Sequence, residues 1–182
     1  FATPVAIISG INKAAKSNII IKTGAAIEQV GKTQIVVFDK TGTITDVIPT
    51  IRKIIPVNGT SYDDLLYKAA SLEQLSSHPD ASVLVKKGQE AFEILSIPTN
   101  FHELPGAGVS GYVKGQYIMI GSQSVFENFA DIGFSQYIQE VKKQITSDGK
   151  MLSFVSIDSK PAGVIIFEDR IRPNANSTVN TS

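Results

Sequence analysis

Apolar positions recur along this chain with two spacings, one helical and one extended. Phe1 to Gly10 is apolar and interrupted by Pro4, and Lys13-Ala14-Ala15-Lys16 continues it with good helix formers, so the opening predicts a buried helix. Asn18 breaks that pattern before the short apolar run Ile19-Ile20-Ile21. Residues 24–31 predict a short helix stopped by Gly31. Ile35-Val36-Val37-Phe38 is continuous and apolar, the signature of a fully buried strand over 34–39. Residues 47–57 mix Val47, Ile48, Ile51 and Ile54-Ile55 with prolines and predict an edge strand, closed by a turn at Asn58-Gly59.

Ser61-x-x-Asp64 then opens a helix whose apolar face carries Leu65, Leu66, Ala69, Ala70 and Leu72. Pro79 suits the first turn of a second helix running to about Phe92. Tyr112-Val113-Lys114 and Gln116 to Ile120 form a hairpin around Gly115. Residues 135–148 predict an amphipathic helix with Tyr137, Ile138, Val141 and Ile145 on one face and Gly149 as its stop. Met151–Ile157 and Ala162–Phe167 predict strands joined by a turn at 158–161, and the polar residues after Pro173 read as a frayed end.

Composition narrows the partners. The 182 residues are 42% hydrophobic and 19% charged, enough for one large domain or two small ones. Lys+Arg and Asp+Glu both number 17, so no net charge favours nucleic acid or an anionic membrane surface. No cysteine is present, which excludes disulfides and thiolate metal sites. No apolar run approaches the roughly 20 residues that span a bilayer, and no basic segment precedes an apolar run at the start as in a cleaved signal. These features describe a soluble piece.

Asp39-Lys40-Thr41-Gly42-Thr43 carries the chemistry. The predicted strand places Asp39 at a carboxyl end, where open α/β sheets bind ligands. Gly42 lets backbone N–H groups turn toward an anion, Thr41 and Thr43 add hydroxyls, and Lys40 adds positive charge. A carboxylate among such groups repels phosphate unless it attacks it, so Asp39 reads as a nucleophile forming an aspartyl phosphate, its charge masked by Mg²⁺. An ordinary polar turn after a strand is the bland alternative. With Ile44-Thr45 the run reads DKTGTIT, which resembles the phosphorylation motif of the P-type ATPases, ion pumps whose cytosolic part is haloacid-dehalogenase-like. Thr41 stands where related phosphatases carry a second aspartate as general acid/base. Threonine cannot serve as that base, so the aspartyl phosphate is expected to persist.

Two further stretches extend the resemblance. On residues alone, Glu73 is a helix-edge carboxylate and His78 a corner or capping histidine. Ser76-Ser77-His78-Pro79 with Glu73 upstream is similar to the Ser-x-His-Pro-type motif of the heavy-metal branch, where the glutamate and histidine contact the adenine end of ATP. Gly106-Ala107-Gly108-Val109-Ser110-Gly111 could be an ordinary loop before a strand, yet is similar to the Gly-x-Gly-Val-x-Gly segment lining that nucleotide pocket. The resemblance extends the pocket to Gly121, although Ser122 departs from the common Gly-Asn. Gly108 is expected to exclude side chains because a nucleotide lies near, with the fold surviving its substitution if the loop is exposed and Gly108 being structural if it does not.

The resemblance covers nearly the whole chain and implies an α/β architecture. An α+β nucleotide-binding domain over 47–166, an antiparallel sheet flanked by helices, is inserted in a partial Rossmann-type phosphorylation domain. Residues 1–46, with the exit of a membrane helix at 1–20, begin that outer domain. Residues 167–182 form the hinge and return, with Asp169 and Arg172 at the hinge. The implied activity is ATP-driven heavy-metal transport through phosphorylated Asp39. Lys40 and Thr41 assist, and Asp39 and Thr41 are the expected magnesium ligands. Glu73, His78, Gly106, Gly108, Gly111 and Gly121 are the expected ATP contacts. The implied partners are ATP, the transported cation, and the transmembrane, actuator and remaining phosphorylation domains, at the cytoplasmic face of a membrane. The later Gly-Asp-Gly-x-Asn-Asp motif and phosphate-binding lysine are absent, so this chain alone is expected to be nearly silent in phosphorylation. Ala2-Thr3-Pro4-Val5-Ala6 and Ile8-Ser9-Gly10 look more like zinc/cadmium/cobalt members than copper ones. The alternatives are an aspartate-based phosphatase and a noncatalytic nucleotide-binding module.

Overall fold

A computed structural model describes residues 2–104, 106–129, 132–145 and 150–181. The chain forms two compact units, Phe1–Phe38 with Val179–Ser182, and Asp39–Thr178. In the first, α1 (Ala2–Lys16) ends where Asn18 adopts a positive φ of 58°, a conformation asparagine tolerates. Helix α2 (Gly24–Val30) follows, with Gly31 as its C-cap. No described helix is long and apolar enough to cross a membrane.

The predicted strand over 34–39 does not form. Residues 33–39 carry no regular structure, and Ile35 and Val37 are 81% and 89% exposed. A strand's N–H and C=O groups need a neighbouring strand, and no described residue pairs with this run. The apolar pattern was legible, but it presupposes a sheet that the described residues do not supply. Asp39 therefore follows extended, exposed chain.

The second unit is built on one antiparallel sheet of order β1-β6-β5-β4-β3-β2. Its strands are β1 (Thr50–Pro56), β2 (Thr99–Leu104), β3 (Gly108–Val113), β4 (Gln116–Gly121), β5 (Lys150–Ile157) and β6 (Lys160–Glu168). The proline-bearing β1 takes an edge, where a missing N–H costs nothing. Both faces of the sheet are covered. Helices α3 (Tyr62–Glu73) and α4 (Pro79–Ala91) bury Leu65, Leu66, Leu72 and Leu84 against Val113, Ile118, Ile120 and Ile165. On the other face, α5 (Gln123–Phe129) and α6 (Ile132–Gln144) bring Phe126, Phe134 and Ile138 onto Met119, Phe154 and Val164. Alternation along β4 and β5 sends Met119 and Phe154 to one side and Ile118, Ile120 and Val155 to the other. The rings of Phe126 and Phe134 stack at 4.3 Å.

Caps follow the sequence closely. Ser61 Oγ accepts from the Asp64 N–H at 3.1 Å, as the Ser-x-x-Asp spacing requires. Asn58 and Gly59 both turn through positive φ. Two elements had no assignment in the sequence, β2 and α5. The start of α6 lies at Ile132, and Gly149 falls outside the described residues. The polar tail is not frayed. Its residues form α7 (Ala175–Thr181), whose first turn is held by Ser177 and Thr178 hydroxyls donating to the Asn174 carbonyl at 2.8 Å each.

The glycine segment also differs from a loop. Gly106 and Ala107 turn, but Gly108 to Gly111 already belong to β3. Gly108 pairs with Gly121 across the ladder, and a Cβ on Gly108 would lie 2.1 Å from the Ile120 carbonyl oxygen. Gly121 is equally confined, its Cβ position lying 2.4 Å from the Ala107 carbonyl oxygen. Gly108 is thus required by the fold itself, which corrects the expectation that the fold survives its substitution. Gly106 has a φ of 68° with nothing within 4 Å of its Cβ position. In thermal melts Gly108→Ala is expected to cost about 3 kcal/mol or more by overpacking. Gly106→Ala is expected to cost only about 1–2 kcal/mol of left-handed strain. Equal losses would contradict this assignment.

Candidate functional site

A cavity of about 410 Å³ opens where the ends of β2 and β4 meet the starts of β3 and β5. Glu73 at the end of α3, His78 and Asp80 at the start of α4, Glu103 on β2, and the Gly106–Gly108 turn line it. Of the residues expected to contact a nucleotide, Glu73, His78, Gly106, Gly108 and Gly121 meet on this one cavity. Gly111 faces elsewhere, its Cβ position lying 3.0 Å from Leu72 Cδ1.

Burial pushes the Glu73 carboxyl up to about 7, with a hydrogen bond from Ser76 opposing and the charges of Asp80 and Glu103 adding to the rise. Burial likewise raises the Asp80 carboxyl, opposed by His78 and assisted by Asp169. His78 is the N-cap of α4, ahead of Pro79 at the first helical position, and its Nδ1 accepts the Asp80 N–H at 3.4 Å. Its ring is exposed at the cavity mouth. The cavity therefore joins acid groups, one imidazole and an apolar floor that includes Val109, Ile120 and Leu152. Such a lining suits a flat heterocycle with donor groups at its edge.

The DKTGT loop forms a second constellation. Asp39 is extended, with φ −66° and ψ 142°, and precedes a single π-helical turn, Lys40–Ile44. Gly42 supplies the positive φ of 78° inside that turn. Buried Thr45 closes it, its hydroxyl donating to the Lys40 carbonyl at 3.2 Å and accepting from the Gly42 N–H at 3.4 Å. Lys40 Nζ pairs with Asp169 Oδ2 at 2.8 Å. The Arg172 guanidinium donates to the carbonyls of Gly42 at 2.9 Å and Thr45 at 3.1 Å. Main-chain bonds from Asp46 to Arg170 and from Arg172 to Ile44 complete a short ribbon. The turn's orphan carbonyls are thereby satisfied by a residue more than a hundred positions away.

Asp39, Lys40 and Gly42 lie on this loop and do not line the cavity. The Thr41 side chain lies outside the described residues. Sequence reasoning missed Asp80, which the Ser-Ser-His-Pro motif brings with it, and Glu103, which lies on an unassigned strand. It noticed Asp169 and Arg172 only as hinge residues, because pairing over such separations leaves no periodic signal.

The comparisons with known proteins agree on one group. A haloacid dehalogenase-like hydrolase family profile matches residues 33–181. The zinc/cadmium/lead-transporting P-type ATPase of Escherichia coli (strain K12) is 36% identical over 98% of this chain and 24% of its own length. Copper-transporting ATPase 1 of Rhizobium meliloti (strain 1021) is 32% identical over 94% of this chain and 20% of its own. A solved zinc-transporting PIB-type ATPase in its E2.Pi state is 32% identical. It superposes with a TM-score of 0.70 over 98% of this chain and 28% of the solved one. The chain thus spans about a fifth to a quarter of the curated relatives it matches.

The raised Glu73 carboxyl yields a pH dependence. A carboxyl whose pKa moves from 4.5 unfolded to about 7 folded keeps its proton longer in the folded state. Stability should therefore fall as pH rises from about 4.5 to about 7, and then level off. Melting temperatures across that range should show this decline in the wild type and a flatter profile in Glu73→Gln. Identical slopes would mean that Glu73 is well solvated.

Proposed function

We propose that this chain, which belongs to the haloacid dehalogenase-like hydrolases, is the catalytic part of a heavy-metal P-type ATPase, binds ATP and carries the phosphoryl-acceptor aspartate of a cation pump. The observation that carries this reading is the convergence of Glu73, His78 and the Gly106–Gly108 turn on one cavity, in a unit that also contains the DKTGT loop. Proposed boundaries follow the resemblance: a nucleotide-binding domain over 47–166, set into a phosphorylation domain represented by 1–46 and 167–182.

In this reading the base enters the cavity and the phosphates lie outside it, away from Glu73, Asp80 and Glu103. Asp39 attacks the γ-phosphorus, a P–O bond to Asp39 forms, and the bond to the ADP oxygen breaks. The extended backbone at Asp39 and the turn behind it present that carboxylate, while Arg172 holds the turn. Lys40 is held by Asp169 in the present arrangement and would reach phosphate only by releasing it.

The family implies magnesium beside ATP. Among the described residues no group of three His, Cys, Asp or Glu side chains that could hold a metal ion forms, and Asp39 and Thr41 are the residues that would hold magnesium beside bound ATP. The transported cation and the membrane, actuator and remaining phosphorylation domains belong to the proposed parent pump, with this part at the cytoplasmic face. Relatives named for zinc/cadmium/lead and for copper both match, so the match by itself names no cation.

Titration of the 182-residue chain with ATP, followed by calorimetry or NMR, tests the cavity directly. His78→Ala should weaken ATP by about 0.5–1.5 kcal/mol, the loss of one hydrogen bond. Equal affinity in wild type and variant would remove His78 from the site.

A further inference from the structure

Asp80 turns back onto His78 with two groups at once. Its main-chain N–H donates to His78 Nδ1 at 3.4 Å, and its carboxylate Oδ2 lies 3.6 Å from the same nitrogen. A ring nitrogen that accepts a hydrogen bond carries no proton, so the neutral imidazole must hold its proton on Nε2. When the ring is charged, Nε2 is still protonated, and Nδ1–H meets the Asp80 carboxylate. Nε2 is a donor in both states.

The ring needs such a restraint. Its side chain is 63% exposed, and a side chain that open is free to change rotamer. Asp80 is only 16% exposed and lines the cavity. The other charged groups facing this corner are Glu73 from α3, Glu103 from β2 and Asp169 after β6. When ionised these carboxylates only accept hydrogen bonds, whereas Glu73, its carboxyl pushed up to about 7, also carries a proton part of the time near neutrality. An imidazole N–H beside them gives the mouth of the cavity a donor among acceptors, which complements a base edge with a ring-nitrogen acceptor next to an amino group.

We propose that Asp80 is a positioning residue that fixes His78 with its Nε2–H toward an acceptor nitrogen of the bound nucleobase. This rests on the nucleotide reading of the cavity. Asp80 acts through His78 and makes no contact with the ligand in this assignment.

A double-mutant cycle on the 182-residue chain tests it, with ATP as the titrant. Asp80→Ala should weaken ATP about three- to tenfold more when His78 is present than in the His78→Ala background. A cap that merely stabilises α4 would lower the melting temperature of Asp80→Ala equally in both backgrounds and leave no coupling in affinity. That result would overturn the proposal. Imidazole ¹⁵N shifts of His78 give a second readout that needs no ligand. For the neutral ring the pattern of Nε2–H with unprotonated Nδ1 is expected, and an Nδ1–H pattern would also overturn it. Absence of ATP binding in the wild type would instead sink the nucleotide reading, while the imidazole spectrum would still judge the Asp80–His78 arrangement.

Discussion

Two backbones approach at Gly108 and Gly121 more closely than any side chain allows, and the candidate cavity is built around that approach. The pair is a register partner on β3 and β4, and the Ser122 N–H extends the contact to the Ala107 carbonyl at 2.8 Å. Both glycines line the cavity, so the contact that closes the sheet also shapes the floor on which a ligand would lie. The sheet can hold that contact because both of its faces are covered, by α3 and α4 on one side and by α5 and α6 on the other. Packing sets the backbone, and the backbone sets the site.

The Asp39–Thr45 loop depends on a different device. It contains a single helical turn, too short to be stable by its own hydrogen bonds. Its order comes from Arg172 on the Gly42 and Thr45 carbonyls, from Lys40 on Asp169, and from the buried Thr45 hydroxyl. The Asp169 and Arg172 contacts come from the stretch that leaves β6. The outgoing chain at Thr45 and the returning chain at Ile171 lie side by side as an isolated bridge, which brings the loop and its supports together.

Much of this was legible in the residues. The Ser61 cap, the Asn58-Gly59 turn, the proline-started α4 and the β3–β4 hairpin all obey local rules, and local rules act over a few positions. Family resemblance supplied what local rules cannot, namely that Glu73, His78 and Gly106 belong to one place. The failures have physical reasons. The run at 35–38 has a strand's composition but no strand beside it among the described residues. The polar residues of α7 form a helix without an apolar period, so the sequence carried no pattern to report it. Gly108 carries the signature of a ligand-facing glycine, while its side-chain direction is filled by the Ile120 carbonyl. Asp80 and Arg172 gain their importance from partners that only the folded chain brings near.

The central claim is that Asp39 accepts a phosphoryl group from ATP held by this unit. The direct measurement combines the chain with a separately supplied downstream half of a heavy-metal pump's phosphorylation domain. The mixture is incubated with γ-labelled ATP and magnesium, quenched in acid, and assayed for acid-stable label that hydroxylamine removes. The account predicts label on the 182-residue chain that disappears in Asp39→Asn. Label that persists in Asp39→Asn, or no label from a mixture that binds ATP, would contradict it.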